Sequence, residues 1–150
     1  MKTIISIIIM SLSILICNAQ DVVYNETTAS QFDKNLVSTA IQVSNAFGPD
    51  YKVNNASKVE ISGPFVFHSD DMRPEIQKNE GKVFYVVTFF PQDTTSFDYG
   101  YLSKVSIWSD GKPQDVIFGN GYGRNFFFSS FEAQKKHIDL KKIPFQKAKR

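Results

Sequence analysis

A run of nine residues near the middle of the chain, Lys82–Phe90, is apolar on both of its faces. Almost every position is β-branched or aromatic, which a pleated strand accommodates best. A strand with two apolar faces is typical of the centre of a sheet that is covered on both sides. We therefore place this strand at the centre of the predicted fold. With period two, its faces are Val83, Tyr85, Val87 and Phe89 on one side, and Phe84, Val86, Thr88 and Phe90 on the other.

An amphipathic helix precedes this strand. Ser30 followed by Asp33 resembles a capping box, which marks a helix start. Gly48 and Pro49 are typical of a helix end, since glycine adopts the closing conformation and proline cannot continue the helix. The pattern predicts a helix over about Gln31–Phe47 with one apolar face. The face consists of Phe32, Leu36, Ala40, Val43 and Phe47, with Val37 and Ile41 beside it.

The rest of the chain has the turn residues and alternating apolar positions that are typical of an antiparallel sheet. Residues Lys58–His68 alternate apolar side chains across Gly63-Pro64, and a proline there predicts an edge strand or a bulged one. Asp110-Gly111 is a strong hairpin signal, and the glycine-rich segment Gly119–Gly123 predicts another reversal. Strands are predicted over Tyr101–Ser109, Gln114–Phe118 and Arg124–Phe131.

Polar segments separate these elements. Asp21–Thr28 is predicted to be a loose N-terminal arm, and Ser69–Gly81 a solvated loop. Ser129 with Glu132 is compatible with a short helix cap, but the apolar residues that follow keep no helical period. We therefore expect an extended or one-turn segment there, followed by a frayed basic end.

The order of elements predicts an α+β domain in which one N-terminal helix packs on a curled antiparallel sheet of about five strands. This outline looks like the cystatin-type arrangement, in which a curled sheet wraps one long helix. The chain has no Gln-x-Val-x-Gly loop, so the resemblance does not imply protease inhibition. Because one helix covers only one face of a sheet, the second face needs strong curling, the C-terminal tail or another molecule to cover it.

The first residues have the pattern of a secretory signal peptide. Lys2 precedes an apolar stretch, Ile4–Ile16, and a small-x-small site ends at Ala19. The stretch is shorter than the roughly 20 residues that cross a bilayer, so we expect no transmembrane segment. Cleavage near Ala19 predicts a secreted or periplasmic protein in which 20–150 forms a single domain. Ile16 stands where a lipobox requires a small residue, so we expect no lipid anchor at Cys17.

Removal of that segment changes the chemistry available to the chain. It takes away the only cysteine, which excludes disulfides, thiolate nucleophiles and cysteine metal sites. Without Lys2, the 17 basic residues become 16 against 15 acidic ones, and this near-neutral balance predicts no nucleic-acid partner. The basic residues crowd the C-terminal end, where they are Lys135, Lys136, Lys141, Lys142, Lys147, Lys149 and Arg150.

Two motifs resemble functional sites but are better explained as loops. His68, Asp70 and Asp71 lie close together, with Glu75 nearby, but they lack the spacing and glycine of a calcium loop. The glycines of Gly119–Arg124 precede a strand instead of the helix that a phosphate loop requires. We therefore predict no metal site and no cofactor, and no catalytic residue is assigned.

The leading functional hypothesis is an exported, non-enzymatic binding domain that uses its apolar sheet face and the loops Gln92–Gly100 and Gly119–Arg124. It would bind a protein partner, as an inhibitor or immunity protein does, or form a homodimer. One alternative is a small-ligand carrier or hydrolase with an apolar pocket inside the curled sheet, and the other is a carbohydrate-binding surface protein. Aromatic and cationic side chains are enriched at binding hot spots. The candidate binding residues are Tyr99, Tyr101, Lys104, Trp108, Tyr122 and Arg124.

Overall fold

The computed structural model describes residues 19–137, Ile143 and Phe145. The predicted signal peptide, with Cys17, lies outside the described residues except for Ala19, and most of the predicted basic tail lies outside them as well. Among the described residues, no helix combines the length and the apolar character that crossing a bilayer requires.

The fold is α+β, with one antiparallel sheet of six strands that follow one another in chain order. The strands are β1 (Gln20–Val23), β2 (Lys58–Val66), β3 (Val83–Phe90), β4 (Ser103–Trp108), β5 (Pro113–Phe118) and β6 (Gly123–Asn125). The helices are α1 (Gln31–Phe47), α2 (Pro74–Gln77) and α3 (Phe131–Lys135). Short 3-10 turns cover Pro49–Tyr51, Val53–Asn55 and Thr94–Ser96.

The predicted helix and central strand are confirmed. The Ser30 hydroxyl oxygen accepts a hydrogen bond of 3.1 Å from the Asp33 backbone N–H, and Gly48 ends α1 by donating to the Ser44 carbonyl. α1 packs against β3, β4 and β5, and we name this side of the sheet the inner face. Its core is fully buried and includes Ala40, Val43 and Phe47 of α1 with Val87, Phe89, Val105, Ile107, Val116 and Phe118 of the sheet.

A bulge in β2 changes which residues face outward. Ser62 lies opposite Val86 and Phe65 lies opposite Phe84, so β2 contains one residue more than β3 between these pairs. Gly63 is at this point with φ +133°, a conformation that L side chains rarely adopt. The bulge was one of two predicted alternatives, and the other is wrong, because β2 lies between β1 and β3. Since an extra residue reverses the alternation, Phe65 is on the outer face.

The sheet has six strands, and the expectation of about five is corrected by β1. The segment predicted to be a loose arm pairs with β2, with Val22 opposite Ile61. All four residues of β1 are exposed, so the strand carries no alternation that would distinguish it from a loop. Its pairing depends on a partner about 40 positions further along the chain.

Two other segments differ from their predictions, and the segment after them forms a short helix. The loop over Ser69–Gly81 contains the single-turn helix α2, which begins at Pro74. β6 is only three residues long, and just after it the Phe126 N–H still donates to the Gln114 carbonyl at 2.8 Å. The chain then turns into α3, where the Ser130 hydroxyl accepts from the Ala133 N–H at 3.3 Å.

Candidate functional site

Three of the predicted binding residues meet at one end of the sheet. The ring centroids of Tyr99 and Tyr101 are 6.1 Å apart, and the Lys104 ammonium lies 4.8 Å from the centre of the Tyr101 ring. Burial raises the pKa of the Tyr101 hydroxyl, and the neighbouring Tyr99 adds to this effect. Tyr101 is therefore buried and neutral, and it packs against Tyr99 and Lys104.

Two loops are joined at this end. The Tyr99 N–H donates to the Gly119 carbonyl at 3.3 Å, and the Gly119 N–H donates to the Leu102 carbonyl at 3.0 Å. A Cβ at Gly119 would collide with the Tyr101 carbonyl oxygen, and one at Gly121 would lie 3.0 Å from the Tyr99 ring. The glycines thus allow the two loops to approach each other closely.

The tyrosines on these loops are solvent-exposed although the loops are ordered by hydrogen bonds. Tyr99 is 62% exposed and Tyr122 is 56% exposed. Asp93 accepts hydrogen bonds from the Thr95 N–H at 3.0 Å and from the Thr95 hydroxyl at 2.6 Å. The Asn120 side-chain oxygen accepts from the Tyr122 N–H at 3.2 Å. Hydrogen bonds therefore order both of the loops that carry these tyrosines.

Ile117 completes this surface. It lies directly opposite Lys104 on the outer face and is 41% exposed. On its other side it lies opposite Gly123 of β6, the residue that follows Tyr122. We name the resulting patch the tyrosine surface and define it as Tyr99, Tyr101, Lys104, Ile117 and Tyr122.

Trp108 is not part of the tyrosine surface. It lies four residues after Lys104 on β4, about 13 Å along an extended strand. Its ring is 5.4 Å from Phe67, 6.0 Å from Phe84 and 6.2 Å from Phe127, all in edge-to-face arrangements. We name this group of half-buried rings on the outer face the aromatic cluster, and its members are Phe65, Phe67, Phe84, Trp108 and Phe127.

Arg124 is also separate from the tyrosine surface. It lies directly opposite Val116 of the inner core, and opposite residues share a face of the sheet. Its side chain is half-buried. The structure therefore divides the six predicted residues into four at the tyrosine surface, one in the aromatic cluster and one at the inner edge.

The acidic loop after β2 is held by a hydrogen bond and an ion pair between side chains. His68 Nδ1 lies 2.5 Å from a Glu80 oxygen, and Arg73 donates to both Asp71 oxygens at 2.6 to 3.0 Å. The Arg73 hydrogen bond lowers the pKa of Asp71, and the His68 hydrogen bond lowers that of Glu80. Within the described part of the chain, no group of three or more His, Cys, Asp or Glu side chains is arranged to hold a metal ion.

A polar row separates the two ends of the outer face. Ser106 lies opposite Asp115, which in turn lies opposite Asn125. Burial raises the pKa of the Asp115 carboxyl, while hydrogen bonds from the Ser106 side chain and backbone act in the opposite direction. The row thus carries a carboxyl whose ionised form is disfavoured.

A groove of about 570 Å³ opens beside Trp108. Its walls come from α1, from the end of the loop after α2, from the β4–β5 hairpin and from the segment leading into α3. The groove has no local signature in the sequence, because it joins four segments that are distant in the chain. The charged residues that line it are Lys78, Lys82, Asp110, Lys112 and Glu132.

No protein-family model, curated protein or solved structure matches this chain. Its candidate sites are therefore defined by their own geometry. They are the tyrosine surface at one end of the outer face, and the aromatic cluster with its groove at the other end.

Proposed function

We propose that this protein is an exported, non-enzymatic binding domain that recognises a protein partner through its tyrosine surface. The observation that carries this proposal is the exposure of Tyr99 and Tyr122, at 62% and 56%, on two hydrogen-bonded loops. Large aromatic side chains that are exposed and already ordered lose little conformational freedom on binding. They are therefore efficient anchors for a partner.

The composition of the tyrosine surface supports a protein partner. Tyrosine is enriched at interface hot spots, and the centre of an interface is depleted in charge. Here three tyrosines and Ile117 surround a single cation, Lys104. A homodimer that buries this surface is the second form of the same proposal.

The non-enzymatic part of the proposal is supported by where the titratable groups lie. The chain has two histidines; His68 is on an exposed loop with Glu80, and His137 is exposed at the end of the described segment. Asp115 receives its hydrogen bonds from Ser106. These placements do not assemble a nucleophile with a base.

The two alternative functions have less support. A carrier or hydrolase requires space between α1 and the sheet, but this layer is filled by fully buried side chains such as Phe47, Phe89 and Phe118. The carbohydrate binder was predicted to combine Trp108 with the tyrosines, whereas Trp108 lies about 13 Å along β4 from Lys104, apart from the tyrosine surface. The cystatin-type outline and export through the N-terminal segment remain predictions from sequence.

Affinity capture from an envelope or secreted extract of the source organism tests the proposal. The immobilised protein is compared with a Tyr99→Ser/Tyr122→Ser variant. The matched control is Phe128→Ser, which removes another exposed aromatic, 49% accessible, from outside the tyrosine surface. Sedimentation velocity on the same proteins measures self-association.

We expect the native protein and Phe128→Ser to retain the same partner, or to sediment as the same dimer, and the double tyrosine variant to lose it. Loss of two interface tyrosines costs about 2–4 kcal/mol of binding energy, enough to abolish retention. A monomer that retains no partner contradicts the proposal. Equal retention by the double tyrosine variant also contradicts it.

A further inference from the structure

We propose that the groove beside Trp108 is a second binding site, which takes a small amphipathic organic anion: an aromatic or alicyclic body that carries one acidic group. The site is distinct from the tyrosine surface and goes beyond the proposed protein partner. The inference combines the size of the groove, its apolar walls and the lysines along one side.

The groove has the dimensions and walls of a small-molecule site. Its volume of about 570 Å³ is within the range of roughly 300–1,000 Å³ typical of such sites. Apolar surface is supplied by Trp108 and Pro113 of the β4–β5 hairpin and by Phe126 and Phe131 of the segment that leads into α3. A hydrophobic ligand that packs against these side chains gains by leaving water.

The walls are held in place by the core and by the aromatic cluster. Phe126 and Phe131 are in edge-to-face contact at 5.7 Å, and both pack against Phe47 of α1. On the other side, Trp108 is held by its contacts with Phe67 and Phe84. The groove is therefore preformed, which lowers the entropy cost of binding.

Two lysines from the end of α2 and the loop after it are available for an anion. Lys78 and Lys82 line the groove, and neither forms an ion pair with a carboxylate among the residues that the structure describes. The Lys82 ammonium donates to the Asn79 side-chain oxygen at 2.9 Å and lies 5.8 Å from the centre of the Trp108 ring. It is thus oriented over the apolar wall.

The other charges leave this side positive. The Asp110 carboxyl lies 3.2 Å from the Lys112 ammonium and also interacts with the charge of Lys82, so it offsets one of the three lysine charges that line the groove. The other carboxylate of the lining, Glu132, lies at the start of α3. A ligand whose acidic group lies between Lys78 and Lys82, with its body against Trp108, matches both the charge and the apolar surface. A neutral ligand of the same shape would contact the apolar side chains but would gain nothing from the lysine charges.

A pair of matched probes tests this assignment. The anion 8-anilino-1-naphthalenesulfonate and its neutral parent, N-phenyl-1-naphthylamine, share one aromatic body and differ in the sulfonate. The chain has one tryptophan, so its indole N–H gives a single NMR signal that reports on the groove. Each probe is titrated into the purified protein while this signal and the dissociation constant are measured.

The variants are Lys78→Gln, Lys78→Gln/Lys82→Gln and the control Lys104→Gln. Lys104→Gln makes the same charge change on the tyrosine surface. Lys78→Gln is the variant least expected to disturb folding, because no side-chain hydrogen bond of Lys78 is seen within the described residues. We expect the anion to shift the indole signal, and the double variant to weaken anion binding about tenfold. Lys78→Gln should weaken it about threefold, and the neutral probe should change less than about twofold.

Three results would overturn the inference: an indole signal that the anion does not move, an equal loss of anion affinity in Lys104→Gln, or equal losses for the two probes. None of these results bears on capture by Tyr99 and Tyr122. The small-molecule site and the protein-binding function can therefore fail separately.

Discussion

The side chains of Ser44 on α1 and Ser103 on β4 form a hydrogen bond of 2.8 Å inside the core. Both residues are fully buried, and they are 59 positions apart in the chain. The pair is a polar contact in an otherwise apolar helix–sheet interface. Because each hydroxyl is the hydrogen-bond partner of the other, the Ser44–Ser103 pair fixes the position of α1 along β4.

Replacing either serine with alanine should destabilise the protein by about 1–3 kcal/mol, because the remaining hydroxyl is left buried without its partner. The double variant Ser44→Ala/Ser103→Ala should cost less than the sum of the two single changes. Urea unfolding of the four proteins measures this coupling. Strictly additive costs would show that the hydroxyls do not depend on each other.

The bulge in β2 gives a prediction for neighbouring residues on opposite faces. Phe67 contacts Trp108 on the outer face, whereas Val66 lies opposite Val83. Phe67→Ala should move the emission of the only tryptophan to longer wavelength and cost about 2 kcal/mol, roughly half the cost for a fully buried phenylalanine. Val66→Ala should leave the emission unchanged. The reverse pattern would show that Val66, and not Phe67, lies on the outer face.

Asp115 gives a pH prediction with a definite sign. Burial raises its pKa above the ordinary value of 3.8, so the folded state holds this proton more tightly than the unfolded state. Its contribution is fully present below the unfolded pKa and is lost as pH rises through the folded pKa. Asp115→Asn should therefore be more stable than the native protein at pH 7, and this advantage should disappear near pH 3.

Urea unfolding at pH 3, 5 and 7 measures the effect of Asp115→Asn. Asp71→Asn is a control of opposite sign, because the Arg73 hydrogen bond lowers the pKa of Asp71. This variant should lose stability at pH 7 relative to pH 3. An advantage of Asp115→Asn that persists unchanged at pH 3 would show that the carboxyl's ionisation is not its cause.

Local signals were enough to predict the elements whose ends are marked in the sequence. Ser30, Asp33 and Gly48 define α1 by hydrogen bonds within a few residues of each helix end. The Asp110-Gly111 turn joins β4 and β5 as predicted, with Gly111 at φ +86°. Local signals could not predict β1 or the face on which Phe65 lies, because both depend on pairing between distant segments.

The candidate site shows the same division. Tyr99 and Tyr122 were predicted from residue type on the loops Gln92–Gly100 and Gly119–Arg124, and the structure places these loops in contact. Trp108 lies apart from them, about 13 Å along β4 from Lys104, a separation that the predicted strand over Tyr101–Ser109 already implied. Arg124 lies apart from them because the alternation of β6 places it on the inner face, opposite Val116. Phe67 and Phe127 were missed, since neither lies near Trp108 in sequence.

Hydrogen–deuterium exchange of the purified protein, free and bound to its captured partner, tests the tyrosine surface most directly. If the tyrosine surface binds the partner, we expect slower amide exchange in 92–104 and 117–124 on binding, with little change in α1. For a homodimer, the same comparison is made between concentrations above and below dissociation. Protection confined to α1 or to β1, with these two segments unchanged, would contradict the assignment of binding to Tyr99 and Tyr122.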